Sequence, residues 1–117
     1  MLPEKAEVLR IFIGESDKHK GRPLYELIVE EARERGLAGA TVARGILGYG
    51  AHSRIHTAKI LRLSEDLPIV IEIVDTPERI EGFIPYLDDV VDEGLVIIEE
   101  ARVHAYRHGR STLHEGE

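Results

Sequence analysis

Positive charge is concentrated in two segments of a chain that is acidic as a whole. The chain has 117 residues and a formal net charge of −7. No aspartate or glutamate occurs in residues 35–64 or in residues 101–114, although both segments carry arginines. Concentrated positive potential attracts anions, whereas the net negative charge argues against general nucleic-acid binding. The pattern predicts a site for a small anionic molecule, with chance segregation of solvated charge as the alternative.

Three cations, Lys18, Lys20 and Arg22, lie in a polar segment directly before the first predicted helix. Pro23 follows them, and proline is favoured at the first helical position. Because the free N–H groups of a helix N-terminus bind anions, these residues are predicted to form an anion-binding cradle. The alternative is an ordinary solvated loop.

Glu72 is the single charged residue in the apolar run 67–74. A buried carboxylate is rare unless it is paired, because desolvation of the charge is costly. Glu72 is therefore expected to meet a cation or a ligand hydroxyl, unless the strand has one face in water. No second carboxylate or histidine stands at a spacing that general acid–base chemistry requires. The sequence thus predicts a binding protein and not an enzyme.

Histidines offer a second kind of chemistry. Six are present, and His104 and His108 can share one face near the end of the last predicted strand because alternate strand residues point the same way. No cysteine occurs, and no histidine–carboxylate spacing typical of a metal site accompanies them. Metal binding by these histidines remains an alternative to simple surface exposure.

The elements that must position these residues follow the order βαββαβ. Apolar and β-branched runs predict strands over 7–14, 37–47, 68–74 and 95–106. Helical spacing predicts one helix from Pro23 to Gly36 and a second that begins at Pro77, is kinked or interrupted by Pro85 and ends at Gly94. Two βαβ-type units with right-handed crossovers predict a ferredoxin-like α+β sandwich, in which one antiparallel four-stranded sheet carries both helices on one face. The sheet face without helices would be exposed in a single chain, and a trimer that packs these faces together is one way to bury it.

Composition adds expectations about domains and environment. The chain length suits one domain, predicted over residues 1–108, with a flexible tail over 109–117. Asparagine and glutamine are absent and 32% of the residues are charged, a combination typical of adaptation to high temperature. No apolar run approaches the roughly 20 residues that a membrane span needs, and no signal peptide is recognisable. A cytoplasmic location is expected.

Three segments resemble a known family: GRPLYE at 21–26, GATVARGILGYG at 39–50 and LPIVIEIVDT at 67–76. They are similar to the domain of unknown function 190 family, a PII-like group, and the resemblance extends over residues 8–107. It implies a ferredoxin-like homotrimer with a T-loop at residues 49–63. It also implies an adenine nucleotide bound in clefts between subunits, no required cofactor, and a regulatory protein partner such as a membrane transporter or channel.

The same resemblance assigns individual residues. Thr41, Gly48 and Gly50 would lie along the nucleotide, Glu72 would face the cleft, and Arg107 would contact phosphate. The chain departs from PII proteins before its last strand, where VVDEGLV replaces a glycine- and lysine-containing phosphate loop, and at Ala105, which replaces an arginine. The CutA proteins share the architecture, so a metal-binding or metal-homeostasis trimer is the alternative function.

Overall fold

A computed structural model of the chain describes residues 4–45 and 67–107. Within these ranges it contains six strands and two helices. They are β1 (Lys5–Gly14), β2 (Lys18–His19), β3 (Arg22–Pro23), α1 (Leu24–Glu34), β4 (Ala40–Arg44), β5 (Pro68–Asp75), α2 (Pro77–Val90) and β6 (Leu95–Arg102).

The four long strands form one sheet in the order β4-β5-β1-β6. All three neighbouring pairs are antiparallel, and β1 lies between β5 and β6. This order and the two helices confirm the predicted ferredoxin-like sandwich. The short strands β2 and β3 form a separate hairpin inside a segment that the sequence predicted as a loop.

The core lies between the helices and one face of the sheet. Every second residue of β5, and of β1 from Leu9 onward, is buried there, as the alternation of side chains in a strand requires. Each helix contributes residues at helical spacing. Full burial of one such side chain stabilises the fold by about 1.5–3 kcal/mol. The buried set is Leu9, Ile11, Ile13, Ile69, Ile71 and Ile73 from the sheet, with Leu24, Ile28, Ala32, Ile80, Phe83, Leu87 and Val90 from the helices.

Both helices have ends that the sequence specifies locally. Thr76 caps α2, since its hydroxyl oxygen accepts a hydrogen bond from the N–H of Arg79 at 3.1 Å. At the end of α1, Gly36 has a φ of 79° and donates to the carbonyl of Arg33, while Leu37 donates to Ala32. This pair of bonds is a Schellman motif, which satisfies the last helical carbonyls and turns the chain toward β4.

Several predicted boundaries were wrong. The second predicted strand covered 37–47, but β4 spans only Ala40–Arg44, because the preceding residues belong to the end of α1 and its loop. Pro85 does not interrupt α2. Proline has no N–H to donate to the carbonyl of Glu81, but both Pro85 and Glu81 are exposed to solvent. Neither described helix has the length and apolar character needed to cross a membrane.

Gly94 and Gly36 allow a matched test of backbone constraint. Gly94 has a φ of 153°, and a Cβ there would lie 2.6 Å from the carbonyl oxygen of Phe12, whereas a Cβ on Gly36 would meet nothing within 4 Å. We expect Gly94→Ala to lower the free energy of unfolding by about 2–4 kcal/mol, through strain and a backbone clash together. Gly36→Ala adds only the left-handed strain, about 1–2 kcal/mol. Chemical denaturation of both variants measures the difference, and equal losses would contradict it.

Candidate ligand-binding site

The described helices leave the opposite face of the sheet without a cover. We call it the open face. Within residues 4–45 and 67–107, α1 and α2 both pack on the other side of the sheet. Apolar side chains dominate the open face and are only partly buried, apart from the exposed Leu95. They are Val8 and Phe12 of β1, Val70 and Val74 of β5, and Leu95 and Ile97 of β6.

A row of polar side chains crosses the centre of the open face. We call Thr41, Glu72, Arg10 and Glu99, one from each long strand, the polar row. The strand register pairs Thr41 with Glu72, and Glu72 with Arg10. Two of the residues that the sequence assigned to a ligand, Thr41 and Glu72, therefore lie side by side. Both are exposed.

Arg10 holds the polar row together. Its Nε donates to Glu72 Oε2 at 2.7 Å, and its Nη1 donates to Glu99 Oε1. Hydrogen bonding to Glu72, and next to Glu99, raises the pKa of Arg10 above its ordinary value. Glu72 thus meets a cation, as one prediction for this residue required. It also lies on a face of the sheet that is open to water, as the alternative prediction required. Its side chain is 47% exposed, which leaves its oxygens accessible to a ligand.

The loop between α1 and β4 is fixed by α2 and the end of β5. Asp75 is 1% exposed, and its Oδ2 accepts from the N–H of Ala38 at 2.8 Å while Oδ1 accepts from the N–H of Thr76 at 2.7 Å. Arg79 donates to the carbonyl oxygen of Gly36 at 2.7 Å. These bonds hold the backbone that leads directly into β4 and Thr41.

The segment after β6 crosses the end of the sheet. The N–H of Val103 donates to the carbonyl of Glu4 at 2.7 Å, next to β1. Three residues later, the hydroxyl of Tyr106 donates to the carbonyl oxygen of Ala38 at 3.1 Å. Arg107, the predicted phosphate contact, follows at once and is exposed. The side chain of its neighbour Tyr106 thus ties this segment to the α1–β4 loop.

The predicted anion cradle is a hairpin, and some of its groups already have partners. Lys20 and Gly21 form its tip with φ values of 53° and 83°. The first helical N–H, that of Leu24, donates to the carbonyl of Asp17 at 2.9 Å. Arg22 donates to Glu30 at 2.8 Å, which raises the pKa of the arginine. Lys18 and Lys20 are exposed, and neither ammonium group is paired with a carboxylate of the described residues.

The hairpin and Arg107 lie at opposite ends of the sheet. The hairpin follows Gly14, which pairs with Pro68 at the start of β5, whereas the loop that holds Tyr106 adjoins Asp75 at the end of β5. A strand of eight residues is roughly 23 Å from first to last Cα. One chain therefore does not bring Lys18, Lys20 and Arg22 to the same small molecule as Arg107.

Other predicted residues fall partly or wholly outside the described ranges. Gly48, Gly50, the T-loop at 49–63 and the tail at 109–117 all lie outside them. His104 is exposed, while His108 lies outside the described residues. No group of three or more histidine or carboxylate side chains suited to a metal occurs in the described part of the chain. The described residues thus add no support for the metal-binding alternative.

Three residues of this region were not predicted from the sequence: Arg10, Asp75 and Tyr106. The sequence does mark Arg10, because it is the only charged residue in the apolar run 8–14. Glu72 is likewise the only charged residue in the apolar run 67–74. Two lone opposite charges in adjacent antiparallel strands are natural partners. The contacts of Asp75 and Tyr106 join residues 37 and 68 positions apart in the chain and have no comparable local signal.

Solved structures with the same fold include PII-like proteins. One is CPII from Thiomonas intermedia K12 bound to ADP and bicarbonate, with a TM-score of 0.58, 22% identity, and coverage of 86% of this chain and 90% of that chain. Another is the GlnK–ATP complex of B. subtilis, with a TM-score of 0.52, 13% identity, and coverage of 86% and 84%. At these identities the likeness establishes a PII-like fold.

Curated relatives are much closer in sequence. A UPF0166 protein of Aquifex aeolicus is 40% identical over 99 residues, which cover 85% of this chain and 93% of the relative. A UPF0166 protein of Methanocaldococcus jannaschii is 40% identical over 101 residues, covering 86% and 93%. The model of the DUF190 family, described as "Uncharacterized ACR, COG1993", matches residues 6–103. The chain therefore belongs to the domain of unknown function 190 family, as its sequence motifs suggested.

Proposed function

We propose that this protein is a PII-like regulatory protein that binds an adenine nucleotide in clefts between the subunits of a homotrimer. The observation that carries the proposal is the separation of the candidate ligand residues. Arg107 and the hairpin cations lie at opposite ends of one sheet, so a single nucleotide can meet both sets only between two chains. The PII-fold proteins bound to ADP or ATP support the choice of ligand class.

The open face supports assembly through the sheet. It carries six partly exposed apolar side chains around an ion-paired centre. Exposed apolar surface of this kind, rimmed and crossed by polar groups, is typical of protein interaction sites. A second and a third copy of the same chain would cover it, which is how a closed homo-oligomer buries identical surfaces.

Within such a cleft each candidate residue has a distinct role. One subunit would supply Thr41 and Glu72 for the nucleoside and Arg107 for a phosphate. The neighbouring subunit would supply Lys18, Lys20 and Arg22 as further positive charge near the phosphates. Gly48 and Gly50 would allow the backbone to approach the nucleotide closely.

The output of binding is regulatory rather than catalytic. The ligand would bind one of two conformations of the T-loop at 49–63 more tightly and so shift the protein toward that conformation. The affinity of the protein for a partner would change as a result. A membrane transporter or channel that the protein contacts from the cytoplasm fits the PII-like fold, an argument from fold analogy. Hydrogen exchange of residues 49–63 with and without saturating ADP tests this step, and unchanged exchange would exclude it.

Nucleotide binding is tested by calorimetry and melting of the assembled protein with ADP, ATP and AMP. A ligand that binds only the folded state at 100 times its dissociation constant stabilises that state by about 2.7 kcal/mol, so a clear rise in melting temperature is expected. We expect Thr41→Val and Glu72→Gln each to weaken ADP binding about tenfold, since the first removes a hydroxyl from the cleft and the second removes a charge and one acceptor oxygen.

Glu31→Gln is the matched control for Glu72→Gln. It also removes one carboxylate of an arginine ion pair, that of Arg35 with Glu31 at 2.7 Å, but on α1 and away from the open face. Its ADP affinity should equal that of the unmodified protein. Absence of binding by the unmodified protein to all three nucleotides would refute the proposed ligand.

A further inference from the structure

The segment 103–107, which we call the strap, follows a path that needs an explanation. It leaves β6 at one edge of the sheet and reaches the loop that leads into β4 at the other edge. Its two described anchors are the bond of Val103 to Glu4 beside β1 and the bond of the Tyr106 hydroxyl to Ala38. The strap thus passes the end of β1 to meet the α1–β4 loop beside β5.

The strap reaches this loop through a side chain. The backbone bends at His104, and the phenol of Tyr106 extends from it to the carbonyl oxygen of Ala38 at 3.1 Å. This bond ties the residue directly before Arg107 to the α1–β4 loop.

The loop that receives Tyr106 is a rigid anchor. The N–H of Ala38 is held by the buried carboxylate of Asp75, and the carbonyl of Gly36 is held by Arg79. Ala38 presents its carbonyl oxygen to Tyr106 from a backbone that is already fixed. Thr41 stands three residues further along, at the start of the polar row.

We propose that Tyr106 is a positioning residue for phosphate recognition: its hydroxyl ties the strap to Ala38 and thereby places Arg107 on the Thr41 side of the sheet. This inference rests on the proposed nucleotide site and adds a residue to it. Without the hydroxyl bond, the segment that carries Arg107 loses one tie to the α1–β4 loop. The position of the Arg107 guanidinium relative to Thr41 then varies more, and phosphate binding weakens.

The test compares Tyr106→Phe with the unmodified protein for ADP and for adenosine, using NMR titration so that weak affinities are measurable. Loss of one net hydrogen bond corresponds to about a fivefold change in an equilibrium constant. We expect ADP affinity to fall about fivefold and adenosine affinity to stay unchanged, because only ADP carries phosphates. Arg107→Gln should weaken ADP binding at least as much, and the double variant should be no weaker than Arg107→Gln alone.

Tyr86→Phe is the control. Its hydroxyl also donates to a backbone carbonyl, that of Leu27 at 3.4 Å, but between the two helices. ADP affinity should not change in this variant. If Tyr106→Phe keeps the full preference for ADP over adenosine, or weakens both ligands equally, the positioning role is overturned while the proposed function stands. If the unmodified protein binds neither ligand, the proposed function and this inference both fail.

Discussion

Replacing Asp75 by alanine is expected to lower the free energy of unfolding by about 3–4 kcal/mol, since hydrogen bonds to a charged group are worth about 1.5–3 kcal/mol each. The carboxylate is buried and accepts from the N–H groups of Ala38 and Thr76. Alanine leaves both donors without that acceptor and opens a space beneath the α1–β4 loop. For a domain of this size the melting temperature should fall by roughly 10–15 °C.

Two further variants separate the lost acceptors from a general effect of removing negative charge. Asp75→Asn keeps one carbonyl oxygen and so should lose about half as much stability as Asp75→Ala. Asp88→Ala removes an exposed carboxylate of α2 and should change stability by less than about 0.5 kcal/mol. Urea denaturation of the three proteins measures these differences. A loss below about 1 kcal/mol for Asp75→Ala would show that the α1–β4 loop is held by other contacts.

Reversing the charge of Arg10 is expected to dissociate the proposed trimer. Arg10 is the cation between Glu72 and Glu99 at the centre of the open face. Arg10→Glu would put three carboxylates together on the surface that the subunits bury, and like charges at an interface oppose association strongly. Light scattering or sedimentation should find a trimer for the unmodified protein and a monomer for Arg10→Glu at the same concentration.

Arg35→Glu is the control. Arg35 donates to Glu31 at 2.7 Å, so its reversal also puts like charges together, but at the end of α1 and away from the open face. This variant should stay trimeric. A trimer that persists in Arg10→Glu would move the interface to another surface, and a monomeric unmodified protein would refute the assembly itself.

The elements of this protein were largely determined by its local sequence. The continuous apolar, β-branched run at 68–74 predicted β5, and helical spacing after Pro23 and Pro77 predicted α1 and α2. The end signals worked where they act within a few residues, as at Gly36 and Thr76. Pro85 lies inside α2 without interrupting it, because the consequence of a lost helical bond depends on whether water can reach the freed carbonyl.

The tertiary structure alone decided which of these residues meet. Strand register placed Thr41 beside Glu72 and Arg10 between two glutamates, and register depends on how whole strands pack, not on either strand's own pattern. The path of the strap likewise depends on a hydroxyl that reaches a loop 68 residues earlier in the chain. Sequence patterns report neighbours within a turn or a strand, whereas a site joins side chains that only long-range packing brings together.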